Sequence, residues 1–135
     1  MSDPVTQGTH QIGLPVPDIT ATKTFFTDVL GYDVVGERPT YPAVFVSGGA
    51  TMITLWQASE PASATSFDRK ANIGLHHLAL KVAGHEALAA LAETLKNTDG
   101  VEIEFAPEAP GETPLRHMMT TIPGGVRVEF IAAPA

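Results

Sequence analysis

The 135-residue chain contains no cysteine. It can therefore form no disulfide, no thiolate metal site and no cysteine nucleophile. Basic residues are also few, since eight lysines and arginines stand against fifteen aspartates and glutamates, and the net charge is −7. The eight are scattered along the chain, which argues against a nucleic-acid partner. No apolar run approaches the ~20 residues that a membrane-spanning helix needs, so we expect no membrane partner.

The N-terminal residues Met1-Ser2-Asp3-Pro4 are neither basic nor followed by an apolar run, so no signal peptide is indicated. Together with the lack of cysteine, this predicts a cytoplasmic location. The length is typical of one domain, and a hydrophobic content of 44% is enough for a core. We expect a polar N-terminal extension at 1–8 and a single domain over 9–135.

An internal repeat organises the chain. The stretch GLHHLALKV at 74–82 has a poorer copy, HQIGLPV, at 10–16. When Gln11 is aligned with His77, the apolar residues of both stretches fall into step, and each alternates as a half-buried strand does. Each is followed by a helical pattern and then by short β-like runs. The chain therefore reads as two copies of one unit, at about 9–57 and about 74–132, joined by a connector at 58–73.

Both units show the predicted order strand, helix and three strands. In unit one we expect Asp18 to cap the helix and Gly31 to end it in the left-handed conformation. Pro15 cannot donate a ladder hydrogen bond, so the first strand should lie at an edge. The predicted elements of unit one are a strand at 9–16, a helix at 19–30 and strands at 32–36, 43–46 and 51–56. Those of unit two are a strand at 75–82, a helix at 85–96 and strands at 101–105, 115–121 and 126–131, with a loop at 107–114.

Alternation along these strands separates a helix-facing side from the opposite side. Ile12, Leu14 and Val16 form the helix-facing side of the first strand, which leaves Gln11 on the other side. Either Arg116 or its neighbour His117 must also face away from the helices. The same pattern places a further set there: Met52, Thr54, Trp56, His77, Arg127 and Glu129.

Four motifs carry a resemblance to a known family. They are QIGLPVPD at 11–18, FFTDVLG at 25–31, HLALKV at 77–82 and PGGVRVEF at 123–130. They resemble motifs of the vicinal oxygen chelate (VOC) superfamily, which includes glyoxalase I, fosfomycin-resistance proteins, extradiol dioxygenases and bleomycin-binding proteins. The resemblance covers about residues 9–132. It implies an α+β fold in which two βαβββ units form a U-shaped, mixed, mostly antiparallel sheet around a concave cavity, with the helices on the convex side.

The resemblance also implies a metal site. The family places ligands at the start of the first strand and near the end of the last strand of each unit, which here means Gln11, Thr54, His77 and Glu129. We expect His77, Glu129 and Gln11 to hold a divalent Zn, Ni, Mn or Fe(II) ion, with Glu129 also catalytic. The ion would act as a Lewis acid on two neighbouring substrate oxygens. Thr54 departs from the pattern, because a hydroxyl is a poor ligand and glyoxalase I has here a glutamate that is also its base.

Because Thr54 is a poor metal ligand, three alternatives to this ligand set remain open. A one-residue register shift would let His10 replace Gln11, at the cost of turning the apolar side of the first strand outward. His117 or Arg116 could instead point inward beside Glu129. The third alternative is that no metal binds. Arg127, two residues from Glu129 on the same side, could also pair with that carboxylate and make it structural.

Three functions are compatible with these residues. The first is a glyoxalase I-like, metal-dependent lyase or isomerase acting on a small substrate with vicinal oxygens. The second is a non-catalytic protein that binds a drug or an aromatic ligand, as the bleomycin-binding relatives do, and the third is an extradiol-type dioxygenase that needs His10. In each case we expect a small-molecule site lined by Met52, Thr54, Trp56, Arg127 and His117. The resemblance further implies a homodimer.

Overall fold

The computed structural model describes residues 3–135, which divide into two compact units. Unit one extends to Ala64 and unit two begins at Thr65, so their boundary lies within the predicted connector at 58–73. Each unit contains a strand, a helix and three further strands. The predicted α+β class with two βαβββ units is therefore confirmed.

Unit one contains a four-stranded sheet. Its elements are β1 (Ile12–Val16), α1 (Ile19–Thr24), a π-helical turn (Phe25–Val29), β2 (Asp33–Arg38), β3 (Ala43–Ser47) and β4 (Met52–Gln57). The strand order is β1-β4-β3-β2, with β1 parallel to β4 and the other neighbours antiparallel. Strand β1 lies at an edge, where the missing N–H of Pro15 leaves no gap in the ladder.

The helix of unit one is not the uniform helix predicted at 19–30. It begins as expected, because the side chain of Asp18 accepts a hydrogen bond from the N–H of Ala21. After α1 the turn widens, and Leu30 donates to the carbonyl of Phe25, five residues back. This turn accompanies the burial of two consecutive phenylalanines, Phe25 and Phe26, which a regular helix would point in directions about a quarter-turn apart.

The register of β1 settles which of its sides faces the helix. Ile12 pairs with Ile53 and Leu14 with Leu55, and Leu14 is only 3% exposed. The one-residue shift that would have made His10 a ligand is therefore wrong. Such a shift would expose the side chains that β1 contributes to the core, because side chains alternate along a strand.

Unit two repeats this topology. Its elements are β5 (Leu78–Lys81), α2 (His85–Lys96), β6 (Glu102–Glu108), β7 (Arg116–Thr121) and β8 (Arg127–Ala132). The strand order is β5-β8-β7-β6, with β5 parallel to β8. Helix α2 has the predicted bounds. Strand β5 begins at Leu78, later than the predicted 75, so that His76 and His77 precede it.

The core of unit two lies between α2 and one side of its sheet. Its buried apolar residues are Leu78, Leu88, Ala92, Leu95, Met118, Ile122, Val128, Phe130 and Ala132. Alternate residues of β8 therefore face α2, and Arg127 and Glu129 face away from it. Within residues 3–135, no helix is long and apolar enough to cross a bilayer.

The end of the unit-one helix depends on one glycine. Gly31 has φ of +75°, and the next residue, Tyr32, donates its N–H to the carbonyl of Phe26 while the two rings pack 5.2 Å apart. A Cβ at Gly31 would meet no atom within 4 Å, so substitution introduces backbone strain alone. We expect Gly31→Ala to lower the free energy of unfolding by about 1 kcal/mol in urea titrations. Gly31→Asn should lose less, because asparagine tolerates this conformation, and an alanine variant as stable as wild type would contradict the assignment.

Candidate functional site

The carboxylate of Glu129 is the centre of the site. Glu129 lies on β8 between the buried residues Val128 and Phe130, and its side chain is 13% exposed. Its Oε1 lies 3.2 Å from Nε2 of His77, and its Oε2 lies 2.5 Å from Nδ1 of His117. Removing a carboxylate from water costs free energy unless hydrogen-bond donors of the protein replace the lost water. An imidazole lies against each of its two oxygens here.

His117 reaches Glu129 from the neighbouring strand. On β7 it lies two residues from Met119, which pairs directly with Glu129, so the two side chains are diagonal neighbours on one side of the sheet. The ring of Phe105 packs against the imidazole at a centroid distance of 4.8 Å. The alternative that the sequence left open between Arg116 and His117 is thus decided for the histidine, while Arg116 is exposed.

His77 has a second histidine beside it. The rings of His76 and His77 lie 5.1 Å apart between centroids, and their Nδ1 atoms are 2.8 Å apart. Strict alternation along a strand would direct His76 to the opposite side from His77. The side chain of His76 is exposed, but it contacts His77. Its Nδ1 atom also lies 3.3 Å from Nη1 of Arg127. Alternation does not govern this pair, because β5 begins only at Leu78.

Arg127 pairs with Glu104 of β6 and not with Glu129. Its Nε donates to Oε1 at 3.0 Å and its NH2 to Oε2 at 2.6 Å, while Arg69 of the connector lies 3.6 Å from Oε1. The hydrogen bond from Arg127 lowers the pKa of Glu104, burial opposes this shift, and the charges of Arg127 and Arg69 act in the same direction as the hydrogen bond. The same hydrogen bond raises the pKa of Arg127. The interpretation of Arg127 as the structural partner of Glu129 is therefore wrong.

Glu104 is a residue that the sequence reasoning missed. The alternating run Glu102-Ile103-Glu104-Phe105 carried a signal, because it places an acidic residue on one side of the strand. Its partner could not be read from that run. Register shifts on both sides of Phe105 decide which β6 side chains lie opposite those of β7, and hence which of them can reach across β7 to β8.

In unit one, the side of the sheet opposite α1 carries Thr54 and Trp56. Thr54 is 1% exposed, and its hydroxyl oxygen accepts a hydrogen bond from Nε1 of Trp56 at 2.9 Å. Gly13 pairs with Thr54, and a Cβ there would lie 3.2 Å from that oxygen. The indole of Trp56 also meets the rings of Tyr41 at 5.2 Å and Phe45 at 6.1 Å. Met52 is half-buried at the start of the same strand.

Gln11 and His10 precede β1 and are both exposed. Nδ1 of His10 lies 3.2 Å from Oε1 of Gln11. Both belong to unit one, whereas His77 and Glu129 belong to unit two. The role of Gln11 as a metal ligand therefore stays a prediction.

The residues of unit two fit part of a metal site. Two ligand atoms at usual zinc distances are roughly 2.8–3.6 Å apart, and the 3.2 Å between Nε2 of His77 and Oε1 of Glu129 falls in that range. Imidazole and carboxylate are suitable donors for Zn, Mn or Fe(II). Within the described part of the chain, no group of three or more histidine, aspartate and glutamate side chains forms a metal-holding cluster. His77, Glu129 and His117 lie in a row, because the two imidazoles contact different oxygens.

Similar proteins include one that matches in sequence and two whose structures superpose on this chain. A 2-epi-5-epi-valiolone epimerase from Actinomyces sp is 28% identical over 148 aligned positions, which cover 93% of this chain and 79% of that protein. A glyoxylase/bleomycin resistance protein/dioxygenase domain from Frankia sp. EAN1pec superposes with a TM-score of 0.78 at 20% identity, covering 95% of this chain and 93% of that one. The lactoylglutathione lyase of Agrobacterium tumefaciens gives a TM-score of 0.70 at 17% identity, covering 96% of each chain.

A family model matches almost the whole chain. The Glyoxalase/Bleomycin resistance protein/Dioxygenase superfamily model aligns with residues 8–130, which include both units. The βαβββ order of each unit and the side of β8 that carries Glu129 agree with the resemblance seen in the motifs. The chain therefore belongs to the glyoxalase/bleomycin resistance protein/dioxygenase superfamily, the VOC superfamily.

Proposed function

We propose that this protein is a metal-dependent isomerase or lyase that moves a proton on a carbon beside a carbonyl group. Its substrate is a small molecule with two neighbouring oxygens. The observation that carries the proposal is the carboxylate of Glu129, which lies almost buried between the imidazoles of His77 and His117. Each oxygen of that carboxylate has a different partner, so one side chain can serve two roles.

The first role is to hold a metal ion. Nε2 of His77 and Oε1 of Glu129 would be two of its ligands. Metal dependence is common in the superfamily, and Zn, Ni, Mn and Fe(II) all suit such donors. When bound, the ion supplies a Lewis acid that stabilises negative charge developing on the substrate oxygens.

The second role is to orient a base. Oε2 of Glu129 accepts the Nδ1–H of His117, which leaves Nε2 of the neutral imidazole unprotonated. Nε2 can then accept a proton from the substrate carbon while the electron pair of the C–H bond moves toward the carbonyl. The nearby carboxylate stabilises the imidazolium that forms. His117 thus fills the role of base that Thr54 leaves vacant in unit one.

The fate of the proton distinguishes two reactions of this class. Its return to the same carbon from the other face inverts that centre, as the name of the Actinomyces epimerase denotes for its own substrate. Its return to the neighbouring carbon isomerises a hydroxy-carbonyl compound, as expected for a glyoxalase-type reaction. Both start with the same C–H cleavage, so one experiment can detect either.

A second candidate function is ligand binding without catalysis. It is favoured by Thr54, whose hydroxyl oxygen is already hydrogen-bonded to Trp56, and by the aromatic cluster of Trp56, Tyr41 and Phe45. Such a surface suits an apolar or aromatic ring. This candidate predicts binding of aromatic ligands with no exchange of substrate protons.

We expect one divalent metal ion per chain after a zinc, nickel, manganese or iron(II) challenge. His77→Ala should lose most of it, because one of two neighbouring ligands is removed. Metal content of the desalted protein, measured by mass spectrometry, checks this. His85→Ala is the matched control, since His85 belongs to the same unit and contacts the carbonyl of Pro114 instead. Equal metal content in both variants would contradict the assignment of His77.

We expect the metal-loaded protein to exchange deuterium into small hydroxyketones in heavy water. His117→Ala should slow this exchange by roughly 10²–10⁴-fold, the usual contribution of a general base. Proton NMR of 2-epi-5-epi-valiolone and of 2-oxoaldehyde–thiol adducts measures the rate. Metal content should stay at the wild-type level, which separates loss of the base from loss of the metal. Full exchange in the alanine variant would rule out His117 as the base.

We further propose that the chain is a homodimer, as the resemblance implies. Strand β1 lies at an edge of its sheet, and exposed Val34 and Val35 lie on the edge strand β2. Size-exclusion chromatography with light scattering should therefore give twice the 14.2 kDa mass of one chain. A particle with the mass of a single chain at micromolar concentration would exclude the dimer.

A further inference from the structure

A continuous row of hydrogen-bonding groups connects β6 with His77. Glu104 holds Arg127 through two hydrogen bonds, NH1 of Arg127 lies 3.3 Å from Nδ1 of His76, and that atom lies 2.8 Å from Nδ1 of His77. We call Glu104, Arg127 and His76 the relay. Arg127 is well held in it, because its side chain is only 10% exposed.

The contact between Arg127 and His76 determines which nitrogen of His76 can carry a proton. A guanidinium group has five N–H donors and no acceptor. Nδ1 of His76 must therefore accept from Arg127, which requires that this nitrogen carry no proton. Arg127 stays charged under all ordinary conditions, so it never offers a lone pair to His76.

The contact between His76 and His77 determines which nitrogen of His77 carries its proton. Nδ1 of His76, which is unprotonated, faces Nδ1 of His77 at hydrogen-bond distance. Two unprotonated nitrogens would repel at that distance, so Nδ1 of His77 carries the proton and donates it. A neutral imidazole has only one such proton. Nε2 of His77 is then left with its lone pair directed at Oε1 of Glu129, 3.2 Å away.

When the imidazole is neutral, two acceptors face each other at that point, and either a metal ion between them or a second proton on His77 relieves their repulsion. Without the relay, His77 would avoid the repulsion by moving its proton to Nε2 and donating to Glu129. That alternative would be favourable for the carboxylate, but it blocks the nitrogen that a metal needs. The relay therefore opposes the tautomer that Glu129 alone would favour.

We propose that Arg127 and His76 are positioning residues that hold His77 in its Nδ1–H tautomer and so keep Nε2 open for a metal ion. The metal half of this inference rests on the proposed function. The tautomer half concerns only the protein's own groups, and it can be measured without any metal.

The tautomer of His77 is read by NMR of the metal-free, full-length protein with nitrogen-15-labelled histidine, at a pH raised until the spectra themselves show a neutral imidazole. In the wild type we expect the proton on Nδ1. In Arg127→Met and in His76→Ala we expect it on Nε2. In His76→Asn the amide oxygen can replace the lost acceptor, so the Nδ1–H tautomer should return. Wild type with the proton on Nε2, or both disrupting variants with it on Nδ1, would overturn the proposal.

Zinc titration by calorimetry provides the second readout. We expect binding roughly 10–100-fold weaker in Arg127→Met and His76→Ala, the usual effect of losing a partner that orients a ligand. His76→Asn should stay close to wild type. Arg69→Met is the matched control, because Arg69 contacts Glu104 but belongs to no step of the relay. Unchanged zinc affinity in the two disrupting variants would overturn the role of the relay in metal binding.

The two halves can fail separately. A wild type that shows the expected tautomer, and its switch in the variants, but takes up no zinc would overturn the metal function and leave the tautomer assignment standing. Thermal unfolding of each variant, compared with Arg69→Met, identifies any variant that fails to fold. The rescue by His76→Asn then carries the test, since a purely structural role for His76 would not depend on an acceptor atom.

Discussion

One physical constraint organises unit two: a carboxylate that has lost most of its water must be compensated. Glu129 is placed on a strand whose neighbouring residues are in the core, so it cannot avoid the loss. Its two oxygens point in different directions, and each meets an imidazole. The site is thus a consequence of strand geometry, because the alternation that buries Val128 and Phe130 also presents Glu129 on the opposite side.

The same constraint extends outward through the histidines. An imidazole has two nitrogens, and the proton on one determines what the other can do. The partner of the remote nitrogen therefore matters as much as the carboxylate itself. For His77 that partner is His76, which is held in turn by a charged arginine. In the proposed relay, the proton position on His77 therefore depends on the ion pair between Arg127 and Glu104.

Local pattern was enough to predict much of the fold and part of the site. Alternation predicted correctly which side of β8 carries Glu129, and the bounds of α2 followed from its apolar spacing. Alternation could not indicate whether Arg116 or His117 lies beside Glu129, because that depends on how β7 pairs with β8. The pairing of Arg127 with Glu104 could not be predicted for a related reason. Register shifts in β6 decide it, and such shifts leave no periodic trace in the sequence.

The bond between Trp56 and Thr54 limits which side chains position 54 can hold. The resemblance places a glutamate of glyoxalase I at this position, but here the threonine hydroxyl already accepts a hydrogen bond from the indole N–H. Thr54 is almost fully buried, so a longer carboxylate at this position would have to displace the indole. Engineering a carboxylate ligand into unit one therefore requires a change at Trp56 as well.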